Sequence, residues 1–125
     1  MFRHKYNAQR TASNGVEFSS KAESARYAVL LKRQERGEIA KLECQPRFLL
    51  QPGFGVPGKK VRAIEYVADF RYEESGRTVV EDVKGMRTEC YNMKRKMFLY
   101  LYGKEFLFRE VKNGKQIDFL PHLST

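Results

Sequence analysis

The sequence predicts a mixed α/β domain in the order α-β-β-β-α-β-β, a mixed β-sheet with helices packed on it. Three observations predict it. Phe18 to Arg36 and Cys90 to Tyr102 carry apolar residues at helical spacing. Val61 to Tyr72 and Arg77 to Lys84 are rich in β-branched and aromatic residues, as strands are. Short turn signals such as Asn113-Gly114 separate the runs. A chain of 125 residues, 42% hydrophobic and 13% aromatic, is expected to form one domain with one core.

Met1 to Gly15 is basic and polar and ends in an Asn14-Gly15 turn signal. It is expected to be a flexible basic arm, leaving residues 16–125 as the folded domain. In the first helix Ser19 or Ser20 can cap, and Glu23 sits at capping-box distance from Ser20. Ala22, Ala25, Tyr27, Val29 and Leu30 form its apolar stripe, and Gly37 ends it. Ile39 to Leu42 and Arg47 to Gln51 read as strand pieces, with Pro46 at a bend or edge between them. Gln51 to Lys60, with two prolines and three glycines, reads as a mobile loop. Val61 to Tyr72 is one strand, Glu73 to Gly76 its turn, and Arg77 to Lys84 the return. In the second helix Met93, Met97, Tyr100 and Leu101 are expected to face the core, with Lys94, Arg95 and Lys96 outside. Glu105 to Val111 and Gln116 to Leu120 form a closing hairpin.

The formal net charge of +9 favours a polyanionic partner, of which nucleic acid is the commonest. No apolar run reaches the length of a membrane helix, and Met1 to Arg10 has no apolar signal core, so a cytoplasmic protein without membrane contact is expected. Cys44 and Cys90 have no CxxC spacing and no clustered histidines, which argues against a zinc site.

The chemistry concentrates at Asp69, Asp82 and Lys84. Strand side chains alternate faces, so Asp82 and Lys84 point one way and Glu81 and Val83 the other. Phosphodiester hydrolysis needs an activated water and relief of the extra negative charge in the transition state. A divalent metal supplies both. Mg²⁺ takes oxygen ligands and keeps several waters, so Asp69, Asp82 and the Val83 carbonyl suffice. Lys84 can orient or deprotonate the water, or stabilise the transition state as a cation. The bland alternative is a solvated cross-strand ion pair. Against it, Val79, Val80 and Val83 make the strand look buried, and a buried charge needs a partner. Gly85 leaves open space beside Lys84.

Asp69 with Asp82-x-Lys84, and an upstream helix carrying Glu23, resembles the PD-(D/E)XK nuclease superfamily. More narrowly, Lys5-Tyr6-Asn7, Phe18 to Glu23, Gln45-Pro46, Ala68-Asp69-Phe70 and Glu81 to Gly85 together resemble a family of small phage- and prophage-encoded nucleases, once a domain of unknown function. The resemblance covers residues 5 to 103 and implies a restriction-endonuclease-like core, Mg²⁺- or Mn²⁺-dependent endonuclease activity on DNA, and kinship with Holliday junction resolvases. It implies a metal-site role for Glu23, whose local alternative is the capping box. It also brings Gln45 towards the site, where a plain strand-end polar residue is the alternative. The second carboxylate is more often Glu in that superfamily; here it is Asp82, and Glu81 lies on the wrong face for Lys84.

Nucleic acid is expected to meet Lys5, Arg10, Lys59, Lys60, Arg87, Lys94, Arg95 and Lys96, through phosphate contacts that are salt-sensitive and carry little sequence preference. The Lys94 to Lys96 run is equally explained as a solvated helix face. The favoured substrate is branched or junction DNA. Two cuts at a junction imply a homodimer, through the Glu105 to Leu120 hairpin or the arm. No small-molecule cofactor is expected beside the metal, and a phage-encoded protein would act in the host cytoplasm. A nonspecific DNA nuclease and a non-catalytic DNA-binding protein are the rival readings.

Overall fold

Hydroxyl caps start both helices. Ser20 Oγ accepts from Glu23 N, and the Thr88 side chain accepts from Tyr91 N. The structure, a computed structural model, describes residues 11–13 and 16–121. In chain order its elements are β1 Thr11–Ser13, β2 Val16–Phe18, α1 Lys21–Glu35, β3 Ala40–Cys44, β4 Arg47–Gln51, β5 Phe54–Val56, β6 Lys59–Val61, β7 Ile64–Val67, β8 Phe70–Glu74, β9 Arg77–Val83, α2 Glu89–Tyr102, β10 Leu107–Lys112 and β11 Lys115–Phe119. The architecture is mixed α/β with two helices, but seven strands rather than three separate them.

The main sheet runs β11-β10-β9-β8-β3. β9 and β10 are parallel, and α2 is the crossover that a parallel pair requires. The other neighbours are antiparallel. Val79 joins a core with Phe18, Tyr27 and Leu30 on the α1 side. Val80, its neighbour, joins a second core with Tyr66, Tyr91 and Phe98 on the α2 side. β9 is thus covered on both faces, which explains its unbroken buried run from Val79 to Asp82.

The turn chemistry holds where it was clearest. Asn113 and Gly114 adopt positive φ (51° and 74°) and close the β10–β11 hairpin. Gly37 is left-handed at φ 77°, and Glu38 N returns to Arg33 O as α1 ends.

Four expectations need correction. First, Val61 to Tyr72 is three strand pieces, not one. Its break at Ala68-Asp69 faces a break at Gln45-Pro46, where Gln45 takes φ 56°. The two breaks are stitched by Gln45 N to Asp69 O (2.9 Å) and Ala68 N to Pro46 O (3.1 Å). β4 and β7 therefore leave the sheet as a separate two-stranded ribbon. Second, Gln51 to Lys60 is no loose loop: β5 and β6 pair around Pro57-Gly58, with proline supplying negative φ and Gly58 φ 78°. Third, α2 buries Tyr91 and Phe98, while Met93, Tyr100 and Leu101 are exposed and Arg95 turns inward. The stripe is phased by the aromatic partners Phe48 and Phe108 rather than by composition. Fourth, α1 buries Tyr27 and Leu30 but leaves Ala22, Ala25 and Val29 exposed, and Phe18 belongs to β2. Residues 1–10 of the expected arm lie outside the described residues, and Thr11–Ser13 pair with β2. No helix among the described residues is long and apolar enough to cross a membrane.

Candidate functional site

Strand alternation divides β9 as its sequence requires. Glu81 faces α1, where Arg26 grips it with a two-pronged fork, Nε to Oε2 at 2.6 Å and Nη2 to Oε1 at 3.0 Å. Asp82 faces the α2 side, where the Tyr66 hydroxyl donates to Oδ2. Lys84 follows on the same face. Its Nζ lies 3.5 Å from Asp82 Oδ1 and 4.1 Å from the centre of the Tyr91 ring. Asp82 is buried, at 2% exposure, whereas the Lys84 side chain keeps 24%. Gly85 has open space where a Cβ would sit. A groove of about 360 Å³ opens beside Lys84 and Gly85, between α1 and the β10–β11 turn.

The break between β7 and β8 aims Asp69. Its backbone N–H reaches Glu81 O at 3.1 Å, and its Oδ2 accepts from Val83 N at 2.7 Å. That brings its carboxyl group close enough to Asp82 for the two to act on each other electrostatically. Burial, then the charge of Asp82 and the bond to it, push the Asp69 carboxyl well above the ordinary carboxylate range; the Val83 N–H pulls the other way. Burial and the neighbouring Asp82 charge also push the Tyr66 phenol up, so it stays a donor. Two like carboxyl groups held close together share a proton, or they take a cation in its place.

Glu23 makes the capping contact expected of it and completes no metal-binding cluster among the described residues. Its N–H makes the cap to Ser20, and its carboxylate accepts from Ser19 Oγ at 2.5 Å. Its charge is felt at Asp69. Among the described residues, however, no three acidic, histidine or cysteine side chains are grouped as a metal would need. The donor set that the structure brings together is the Asp69–Asp82 pair, beside Val83. Two hard oxygen donors that cannot both stay charged in isolation suit Mg²⁺ or Mn²⁺, which retain waters for the remaining positions. Gln45 stays outside the pair. It is exposed at the strand break, and its Nε2 donates to Glu17 O at 3.3 Å.

The expected phosphate-contacting cations divide into three sets. Lys5 and Arg10 lie outside the described residues. Lys59, Lys60, Lys94 and Lys96 make no ion pair among the described residues, and all but the half-buried Lys94 are exposed. Arg87 and Arg95 instead converge on Glu110, which is fully buried on β10. Arg87 Nε donates to Oε1 at 2.9 Å and Arg95 Nη1 to Oε2 at 3.0 Å. Burial pushes the Glu110 carboxyl up, but the bonds from Arg87 and Tyr91 and the two arginine charges hold it below its ordinary value.

Sequence reasoning missed Tyr66 and Glu110, and it missed what Tyr91 does here. Tyr91 Oη donates to Glu110 Oε2 at 2.6 Å while its ring carries Lys84, so Glu110 fixes the platform on which the lysine rests. The available signals were an acid on the strand Leu107 to Val111 between Phe108 and Val111, and a tyrosine on the core side of Ile64-Tyr66-Ala68 whose hydroxyl must find a partner.

The family described as "Protein of unknown function (DUF1064)" matches residues 3–118. A comparison with curated proteins finds no match. A solved structure described as "Crystal structure of SSO0001" is similar at 16% identity and a TM-score of 0.42, over 81% of this chain and 52% of that one. The chain thus spans about half the length of that structure's chain.

Proposed function

The chain belongs to the DUF1064 family, and we propose that it is a metal-dependent endonuclease of the PD-(D/E)XK type, with a restriction-endonuclease-like core, acting on DNA. The observation that carries this reading is the Asp69–Asp82 pair, Asp82 buried and Asp69 partly so, with Lys84 3.5 Å from Asp82. Bound there, Mg²⁺ or Mn²⁺ would supply a Lewis acid for the phosphate and lower the pKa of a water. Asp69 and Asp82 would hold it, with the Val83 carbonyl as a third ligand. Tyr66 fixes the Asp82 rotamer through its hydrogen bond, and Val83 N does the same for Asp69. Lys84, resting on Tyr91, orients the attacking water or meets the charge that develops on the phosphate. Glu23 acts from α1 through its charge.

Branched or junction DNA is the favoured substrate. A homodimer would deliver two cuts, and β11, the exposed edge of the main sheet, offers an interface. A non-catalytic DNA-binding protein is the second reading, favoured by the partners Asp82 already has in Tyr66 and Lys84.

The test is a cleavage panel of four-way junction, linear duplex and single-stranded DNA in Mg²⁺ or Mn²⁺. Cutting by the wild type, strongest on the junction, is expected to fall by about 10²- to 10⁴-fold in Lys84→Ala and at least as far in Asp82→Ala, with DNA binding retained. Equal cutting of all substrates would favour the nonspecific nuclease. Wild-type rates in either variant would remove the site assignment, and salt-sensitive binding without cutting would favour the second reading.

A further inference from the structure

The β4–β7 ribbon leaves the main sheet at the two facing breaks, so its root is the backbone of Gln45-Pro46 and Ala68-Asp69. Further along the same excursion β5 and β6 form a hairpin paired with nothing else among the described residues. Between Gln51 and Ala63 there is no acidic residue, and there are three cations, Lys59, Lys60 and Arg62. None of the three makes an ion pair among the described residues, and all are exposed. By contrast Arg47, nearer the root, is paired with Glu65 at 3.3 Å.

The hairpin is built rather than loose. Pro57-Gly58 closes it tightly. At its base a Cβ on Gly53 would lie only 3.2 Å from Val61 O and 3.3 Å from Ala63 N, so the crossing strands are in close contact. Register places Phe54, Val56, Lys59 and Val61 on one face, with Lys60 opposite Gly55 on the other. No side chain opposes Lys60 there. Phe54 is half exposed, at 50%.

We infer that the β5–β6 hairpin is a DNA-gripping ribbon that enters a duplex groove and holds the substrate across the Asp69–Asp82 pair at the root of its own arm. Strands of three residues extend about 10 Å, matching a major groove roughly 8.5 Å deep and 12 Å wide, which admits a two-stranded β-ribbon. Lys59, Lys60 and Arg62 meet phosphates on its walls, and Phe54 supplies apolar contact to base edges. The positive charge selects a polyanion over a second copy of this basic chain. The inference rests on the nuclease reading only for what is held, not for whether it is cut.

The experiment measures binding by fluorescence anisotropy, without divalent metal, on a labelled random duplex of about 30 base pairs and on a single strand of equal length. Wild type is compared with the Lys59→Ala/Lys60→Ala/Arg62→Ala variant across a salt series. Removing three phosphate contacts is expected to flatten the log-affinity against log-salt slope on duplex by about 2 to 3, and to weaken binding at 0.1 M salt by about 10²-fold. An unchanged slope, a loss confined to the single strand, or no wild-type binding overturns the inference. So does a variant that binds as before but changes oligomeric state, which would make the hairpin a self-association surface. Cleavage scored in parallel separates the readings. A cutting wild type with an unaffected variant removes the ribbon and leaves the nuclease; a binding, non-cutting wild type with a weakened variant does the reverse.

Discussion

β9 presents two consecutive buried acids to opposite sides of one sheet, and their surroundings differ in kind. Glu81, facing α1, receives the Arg26 fork and the Tyr72 hydroxyl at 2.5 Å. Arg109 donates to that same hydroxyl at 3.0 Å and continues to Glu74 and Asp118. Every acid in that network has an arginine. Asp82, facing α2, has one lysine and a tyrosine, and against it stands a second carboxyl group, Asp69. The lesson is that burial alone does not mark a functional acid. The marker is burial with too little positive charge, since folding by itself gains nothing from bringing two carboxyl groups together.

The comparison breaks most visibly in stability. Glu81→Ala strips Arg26 and Tyr72 of their shared acceptor, and a loss of about 3 kcal/mol is expected, typical of breaking a buried ion pair. Asp82→Asn keeps an acceptor for Tyr66 and removes a like charge from Asp69, so the metal-free protein should be as stable as wild type or more so. Urea melts of both variants check this. Equal destabilisation by the two would erase the distinction between the faces.

A smaller effect sharpens it through pH. The Glu74 carboxyl is pushed up by burial but held below its ordinary value by the Arg109 bond and by the Arg109 and Arg33 charges; Asp118 is lowered chiefly by its bond to Arg109. Carboxylates lowered by folding stabilise the protein above their unfolded pKa, and that stabilisation is lost as pH falls through their folded values. Stability is therefore expected to decline on acidification from about pH 4.5 downward, and Arg109→Met is expected to flatten the decline. Melts across that range measure it. A wild-type stability flat in acid, or a slope unchanged by Arg109→Met, would show that the α1-side network is not tuned as described.

Much of this contrast was legible in the sequence. Strand period alone put Asp82 with Lys84 and set Glu81 apart, because that rule depends on local geometry and on nothing distant. Asn113-Gly114 named its hairpin for the same reason. The ribbon was not legible. Alternation of Ile64, Tyr66 and Ala68 continues smoothly into Phe70 and Tyr72, and only pairing with Gln45-Pro46, more than twenty positions earlier, divides the run. The inward turn of Arg95 was hidden likewise. A cation between two lysines looks solvated until Glu110 on β10 is seen beneath it. Asp69 was visible as a candidate, but its contact with Asp82 depends on the strand break that aims it.

The claim that the Asp69–Asp82 pair holds too little positive charge is tested most directly by calorimetric titration of Mn²⁺ into metal-free wild type, Asp82→Asn and Glu81→Gln. Saturable binding in wild type and Glu81→Gln, abolished in Asp82→Asn, is the predicted result. No binding to wild type, or binding that survives Asp82→Asn unchanged, would contradict it.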